Sequence, residues 1–228
     1  MREQPVLEVI ACTVADAVEA KHGGARRLEI VRNLELGGLT PSFDLVNEIS
    51  AAVGLPLRVM VRESVGYGVS DAREIDNLCL AAKRLGELRV DGLVIGYLTN
   101  GVVDLALCKR ILSSAPNLKA TFHHAFEDTR DQLQALQDIK NLHQVDRILS
   151  HGGPGSLGEK IARFRKYQEL ASPKIKIIAG GGIDLDAISQ IRRATSIQEF
   201  HVGRAARVSS RIDGEVKAEL VSQMSDML

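Results

Sequence analysis

KIKIIAGGGIDLDAISQIRRATSIQEFHVGRAARV, residues 174–208, decides how the chain is read. Residues 174–179 are a short apolar run with β-branched side chains, the pattern of a strand buried on both faces. Gly180, Gly181 and Gly182 follow at once. Three glycines allow positive φ and let backbone N–H groups approach something bulky and negative. Asp184 stands where it can cap the next helix. Residues 197–202 form a second strand, and Gly203 and Arg204 sit at its C-terminal end. Two adjacent strand ends with such turns match the phosphate site that (β/α)8 barrels build after strands 7 and 8. Gly180, Gly181, Gly182, Gly203 and Arg204 are therefore expected to bind an anion. The alternative is a tight turn packed on the following helix.

Six βα units must precede this stretch, and the sequence supplies them. Strand-like runs cover 6–12, 27–31, 57–61, 92–95, 118–122 and 145–149. Between them lie helical patterns. Thr13 caps the first, which stops at Gly23 and Gly24. Thr40 and Pro41 read as an N-cap and first helical residue. Thr129-x-x-Gln132 and Ser156-x-x-Glu159 read as capping boxes. Alternation over eight strands predicts an α/β fold, a (β/α)8 TIM barrel in a single domain over 1–228. Val216, Leu220, Val221, Met224 and Leu228 share one face of the tail. They predict an amphipathic final helix, packed on the barrel or on a second copy in a homodimer.

The chain has 228 residues, 45% of them apolar, enough for a real core. Lys+Arg and Asp+Glu both number 29, so no basic excess favours a nucleic-acid partner. No apolar run reaches the ~18 residues of a membrane span. The start, MREQPVLEVIACTV, reads as strand 1 and not as a signal peptide. Cys12, Cys79 and Cys108 form no CxxC pair, against a disulfide scaffold or a zinc finger. A reduced, cytoplasmic protein is expected.

In such barrels the reactive face lies at the C-terminal strand ends. Alternation puts Glu8 with Ile10 and Cys12 on one face, and Glu29 with Val31 on one face. Arg62, His123, Ser150 or His151, and His201 fall at or near strand ends. Glu8, Glu29, Arg62, His123 and His201 are the candidate catalytic set, suited to acid–base work on a small anionic ligand. The alternative is that Glu8 and Glu29 bridge barrel layers and Arg62 neutralises them. His124 is expected to face outward, because alternation separates it from His123. Tyr67 is placed to cover the mouth. Cys79 and Cys108 read as buried, inert helix thiols.

These residues resemble the CutC family of copper homeostasis proteins, which are (β/α)8 barrels. The likeness runs over 6–207 and rests on LEVIACTV, HGGARRLEIV, GGLTPS (37–42), Arg62, DGLVIGYLT, TFHHAFED, RILSHGG, IIAGGGI and EFHVGRA. It implies that Glu8, Glu29, Arg62, His123 and His201 line the family's cleft. It also implies copper as a cofactor. Many members carry cysteines, proposed as copper ligands, where this chain has Ile10 and Val31. The soft ligands this chain offers instead are Cys12 and Met60, with His123 and His201 beside them. No metal set is assigned. A second reading is a barrel lyase, isomerase or hydrolase acting on a small phosphorylated or carboxylated metabolite.

Overall fold

A computed structural model describes residues 4–88 and 90–228. The first three residues of the expected strand 1 segment, 1–3, lie outside the described residues. The chain order is β1 (Val6–Ala11), α1 (Val14–His22), β2 (Arg27–Ile30), α2 (Phe43–Val53), β3 (Leu57–Met60) and α3 (Ala72–Glu87). Then come β4 (Gly92–Ile95), β5 (Leu98–Thr99), β6 (Val102–Val103), α4 (Leu105–Ser113), β7 (Lys119–Phe122) and α5 (Gln132–Ile139). The last elements are β8 (Val145–Ser150), α6 (Leu157–Ala171), β9 (Lys176–Ala179), α7 (Leu185–Ala194), β10 (Glu199–Val202) and α8 (Ala218–Ser225). Eight parallel strands close a barrel in the order β1-β10-β9-β8-β7-β4-β3-β2. The expected (β/α)8 barrel is what the chain forms. The β5–β6 hairpin is an addition that the strand-by-strand reading did not contain.

Alternation divides the barrel residues into two environments. The outward set, including Leu7, Val9, Leu28, Ile30, Val59, Leu93, Phe122 and Phe200, packs with Ile49, Leu78, Ile111, Leu136, Phe164 and Ile188 of the helices. Each such side chain, fully removed from water, stabilises the fold by about 1.5–3 kcal/mol. Inside the barrel, Ile10, Val31, Met60 and Val94 form a separate small apolar layer. The N-terminal end of the barrel is ionic. Arg27 pairs with Glu8, and with Glu199 at 2.6 Å. Arg147 meets Glu199 at 2.7 Å, and Arg58 meets Asp91 at 2.7 Å and Asp146 at 3.1 Å.

Local chemistry sets the helix starts. Thr13, Asp184 and the Ser156–Glu159 box cap as expected. Two expected starts are corrected. Ser42, not Thr40, caps α2. The Thr40 hydroxyl instead accepts from Arg62 N at 2.9 Å and donates to Arg62 O at 3.0 Å, which ties it to the end of β3. Thr129 and Gln132 form no capping box. Asp131 caps α5, because its carboxylate accepts from both Leu133 N and Gln134 N at 2.9 and 3.0 Å. The Thr129 hydroxyl donates to Phe126 O at 2.7 Å.

The tail helix α8 closes the eighth βα unit. It lies beside α1 with Val221 and Met224 buried. Gly23 makes that approach possible, since a Cβ there would stand 2.5 Å from Val221 Cβ.

Candidate functional site

A cavity of about 440 Å³ opens at the C-terminal strand ends, lined by Glu29, Arg62, Tyr67, His123, His124 and His201 among others. Four of the five candidate catalytic residues thus meet in one space. Glu8 lies one step deeper and acts on the cavity through His201. A larger groove, about 640 Å³, lies elsewhere, beside the N-terminus of α1. Cys12 packs on the inner layer of Ile10, Val31, Met60 and Val94 but lines that groove and not the mouth, whereas Met60, the other soft ligand expected, does line the mouth. The Cys12 sulfur lies 3.7 Å from Arg207 Nη2, and burial pushes its thiol up to about 11. Cys108 is buried as expected, whereas Cys79 is half-buried.

The acid pair divides its labour. Glu8 is fully paired: Arg27 donates to one carboxylate oxygen, and His201 Nδ1 lies 2.7 Å from the other. Burial opposes its ionisation, yet Arg27 and His201 hold it well below the usual carboxylate range. The expected pairing of the acids with Arg62 does not form. Arg27 takes that place because it stands beside Glu8 in the β1–β2 register. Glu29 is different. Its Oε2 is buried and without a hydrogen-bond partner, 3.7 Å from His201 Nδ1. Burial, with repulsion from Glu8, pushes Glu29 up to about 7 against the attraction of His201 and Arg27. Burial lowers His201, but Glu29 and Glu8 outweigh it and its basicity is raised. A buried acid and a buried base, each raised by its surroundings, thus stand together beside an ion that stays charged.

Arg62 is held by carbonyls. Nε donates to Ser64 O at 3.0 Å, Nη1 to Gly37 O at 3.4 Å and Nη2 to Leu36 O at 2.6 Å. Its guanidinium lies 5.7 Å from the centre of the Tyr67 ring, which in turn stands 5.4 Å from the His123 ring. Tyr67 therefore does line the mouth. Its loop is tied down by Leu98 N donating to Tyr67 O at 2.8 Å, the contribution of the β5–β6 hairpin. His123 Nδ1 accepts from Ala125 N at 3.1 Å, so in the neutral ring the proton sits on Nε2, which is buried and unpaired. Burial, together with the charges of Arg62 and His124, pulls His123 down to about 3.

His124 corrects an expectation. It lines the cavity, with its ring 5.9 Å from that of His151. Strand alternation does not govern it, because the chain leaves β7 at Phe122 and turns into a 3-10 helix from His124 to Asp128. Burial and the neighbouring His201 and His151 pull its ring down to about 3 as well.

The glycine turns do not line the cavity themselves; Gly181 packs behind His124 and Gly203 behind Ile10, two residues that do. A Cβ on Gly181 would lie 2.7 Å from His151 Cβ and 3.1 Å from the His124 ring, so the close approach requires glycine. Gly181 and Gly182 have φ of 76° and 81°. Gly182 faces open space. Gly180 differs from the anion-binding expectation, since its N–H donates to Ser150 O at 2.9 Å as a continuation of the sheet. A Cβ on Gly203 would meet Ile10 at 2.9 Å, and Arg204 is exposed on the rim. Ser150 is buried against Glu127 Oε1 at 2.5 Å, which leaves it a structural partner.

Sequence reasoning passed over Arg27 and Glu199. The same parity that pairs Glu29 with Val31 also places Arg27 inward, and that of His201 places Glu199 inward. The signal was present in the alternation.

The model of the CutC family matches residues 6–206. A CutC family protein of Xanthomonas axonopodis pv. citri is 33% identical over 207 residues, covering 90% of this chain and 86% of its own length. A Streptococcus agalactiae structure named for copper homeostasis, CutC, superposes with a TM-score of 0.80 at 27% identity, covering 92% of this chain and all of that one. Phosphoribosyl anthranilate isomerase of Thermococcus kodakaraensis gives a TM-score of 0.65 at 12% identity over 98% of both chains, a likeness of fold alone.

Proposed function

The chain belongs to the CutC family, and from that premise we propose that its mouth is the site of a small-molecule enzyme that works by proton transfer. The observation that carries this reading is Glu29, a buried carboxyl with a free oxygen beside His201. A general acid–base group works best with a pKa near the working pH, and Glu29 is pushed up to about 7.

Copper, the metal in the name of the Streptococcus agalactiae relative, suits this site poorly. Among the described residues, the ligand cluster there is Glu8, Glu29 and His201, with ligand atoms within 4.8 Å of one another. It offers two carboxylates and an imidazole; Met60 adds a single thioether to the cavity wall and no thiolate joins it, whereas copper(I) favours several sulfur ligands. Glu8 is also already engaged by Arg27 and His201. No step is derived through copper.

In the proposed reaction Glu29, ionised, removes a proton from the substrate. His201, held in orientation by Glu8, supplies or receives the compensating proton. Neutral His123 donates from its buried Nε2 to an oxygen that gains charge, as an uncharged donor. An anionic part of the substrate rests on the N–H groups of Gly181, Gly182 and Gly203, with Arg204 at the rim. Support for that cradle is the open space at Gly182 and the enforced absence of side chains at Gly181 and Gly203. Such chemistry is that of a lyase, isomerase or hydrolase on a small phosphorylated or carboxylated metabolite.

The test is hydrogen exchange. Small carboxylated and phosphorylated metabolites are incubated with the protein in D₂O and read by NMR. Deuterium is expected in at least one compound with wild type, and at a rate at least about 100-fold lower with Glu29→Gln, the usual worth of one acid–base group. Equal exchange by both proteins, or none by either across the panel, would contradict the reading.

A further inference from the structure

Resting on that reading, we infer that Arg62 is the dock for a carboxylate group of the substrate, on the wall across the mouth from the glycine turns. A guanidinium has five N–H donors, and carbonyls of Ser64, Gly37 and Leu36 take three of them. One N–H remains on each terminal nitrogen, a number that matches the two oxygens of a carboxylate. The residue is only 7% exposed and lines the cavity. Among the described residues no carboxylate pairs with it, although the buried Arg27, Arg58 and Arg207 are each paired with acids. A buried charge without a counter-ion is costly, and carbonyl dipoles hold it in place without cancelling it. A ligand that brings the negative charge completes the site.

The neighbours fit the same occupant. His123 offers an unpaired, neutral Nε2–H. Tyr67 covers the guanidinium face. Backbone and side chain both fix Arg62: Thr40 exchanges hydrogen bonds with its N and O, and three loop carbonyls grip its end. A side chain so constrained is pre-organised for a planar, two-point contact.

The ring order supplies the geometry of the whole ligand. β3, which carries Arg62 at its end, and β9, which leads into Gly180, are four places apart among eight. They therefore face each other across the mouth. Glu29 on β2 and His201 on β10 lie along the wall between them. The substrate class is thus a carboxylic acid that spans the mouth, with its carboxylate at Arg62 and its reacting carbon near Glu29.

The probes are malonate and succinate, with inorganic phosphate as the contrasting anion. Each is titrated into protein labelled for ¹⁵N guanidinium NMR, and dissociation constants are read for wild type, Arg62→Lys and Arg62→Met. Either dicarboxylate is expected to move the Arg62 resonances of the wild type. Its affinity should fall about 30-fold or more in Arg62→Met, as for one truncated partner of a buried charge pair. Arg62→Lys should bind with intermediate affinity, because it keeps the charge and loses the fork. Phosphate affinity should be the same in all three proteins. Dicarboxylates that leave the Arg62 resonances of the wild type unmoved would overturn the assignment. So would equal affinity in Arg62→Met, or a phosphate affinity that falls as the dicarboxylate affinity does. Titration of Glu29 in the Arg62 variants separates the two claims: if it stays near neutral while carboxylate binding is indifferent to Arg62, the dock fails and the proton-transfer reading stands.

Discussion

Glu29 and Glu8 are the same residue type a few ångströms apart, and their surroundings drive them in opposite directions. Arg27 and His201 grip Glu8, while Glu29 keeps a free oxygen. The consequence for stability has a definite sign. Glu29 is raised from 4.5 to about 7, so its contribution is fully present below about 4.5 and is lost as pH rises through 7. Glu29→Gln keeps the neutral shape at every pH. The variant should match wild type at pH 4.5 and exceed it at pH 8 by on the order of 1–3 kcal/mol. Urea unfolding at the two pH values measures this, and an equal difference at both would show that Glu29 titrates normally. At this scale the sequence was partly legible. Residue types and strand positions brought Glu29, Arg62, His123 and His201 together. Partners were not legible, because which arginine meets which acid depends on the register between strands.

At the scale of elements, the ionic end of the barrel supports the reactive end. Arg27 joins Glu8 of β1 to Glu199 of β10, and Arg147 extends the chain of charges to β8. Removing Arg27 leaves buried Glu8 with His201 as its one cationic partner and takes from Glu199 one of its two arginines. Arg27→Met should therefore cost about 3–5 kcal/mol, far more than its loss of volume implies. Glu8→Gln made in the same chain should recover part of that loss, since one buried, under-compensated charge is then gone. A loss below about 1 kcal/mol in urea unfolding would mean that the network is solvated and not structural. The short elements are where the sequence was hardest to read. The β5–β6 hairpin turns at Asn100 and Gly101, both with positive φ, and Asn-Gly is a strong two-residue hairpin signal. Its strands are only two residues each, too short for alternation to register. His124 failed for a related reason, since strand parity ends where the 3-10 turn begins.

For the whole molecule, the eightfold rhythm of strand and helix was readable because it is repeated and long. Continuous apolar strands, glycine stops and helix caps each pointed to the same closed ring, and such agreement between levels is what specifies a fold. The ring then determines what its ends can do. One end is filled by paired ions. The other gathers a carboxyl with an oxygen free of hydrogen bonds, a guanidinium with no carboxylate partner among the described residues, and the neutral imidazoles of His123 and His124 around a cavity of about 440 Å³. Buried groups with unused hydrogen-bonding capacity are costly to the fold, and their gathering at one place is the mark of a site for a ligand. The most direct measurement is the ¹³C NMR titration of the glutamate carboxyls, with Glu29 assigned by its loss in Glu29→Gln. A midpoint near 7 is the result this account predicts, and a midpoint in the ordinary carboxylate range, near 4.5, would contradict it.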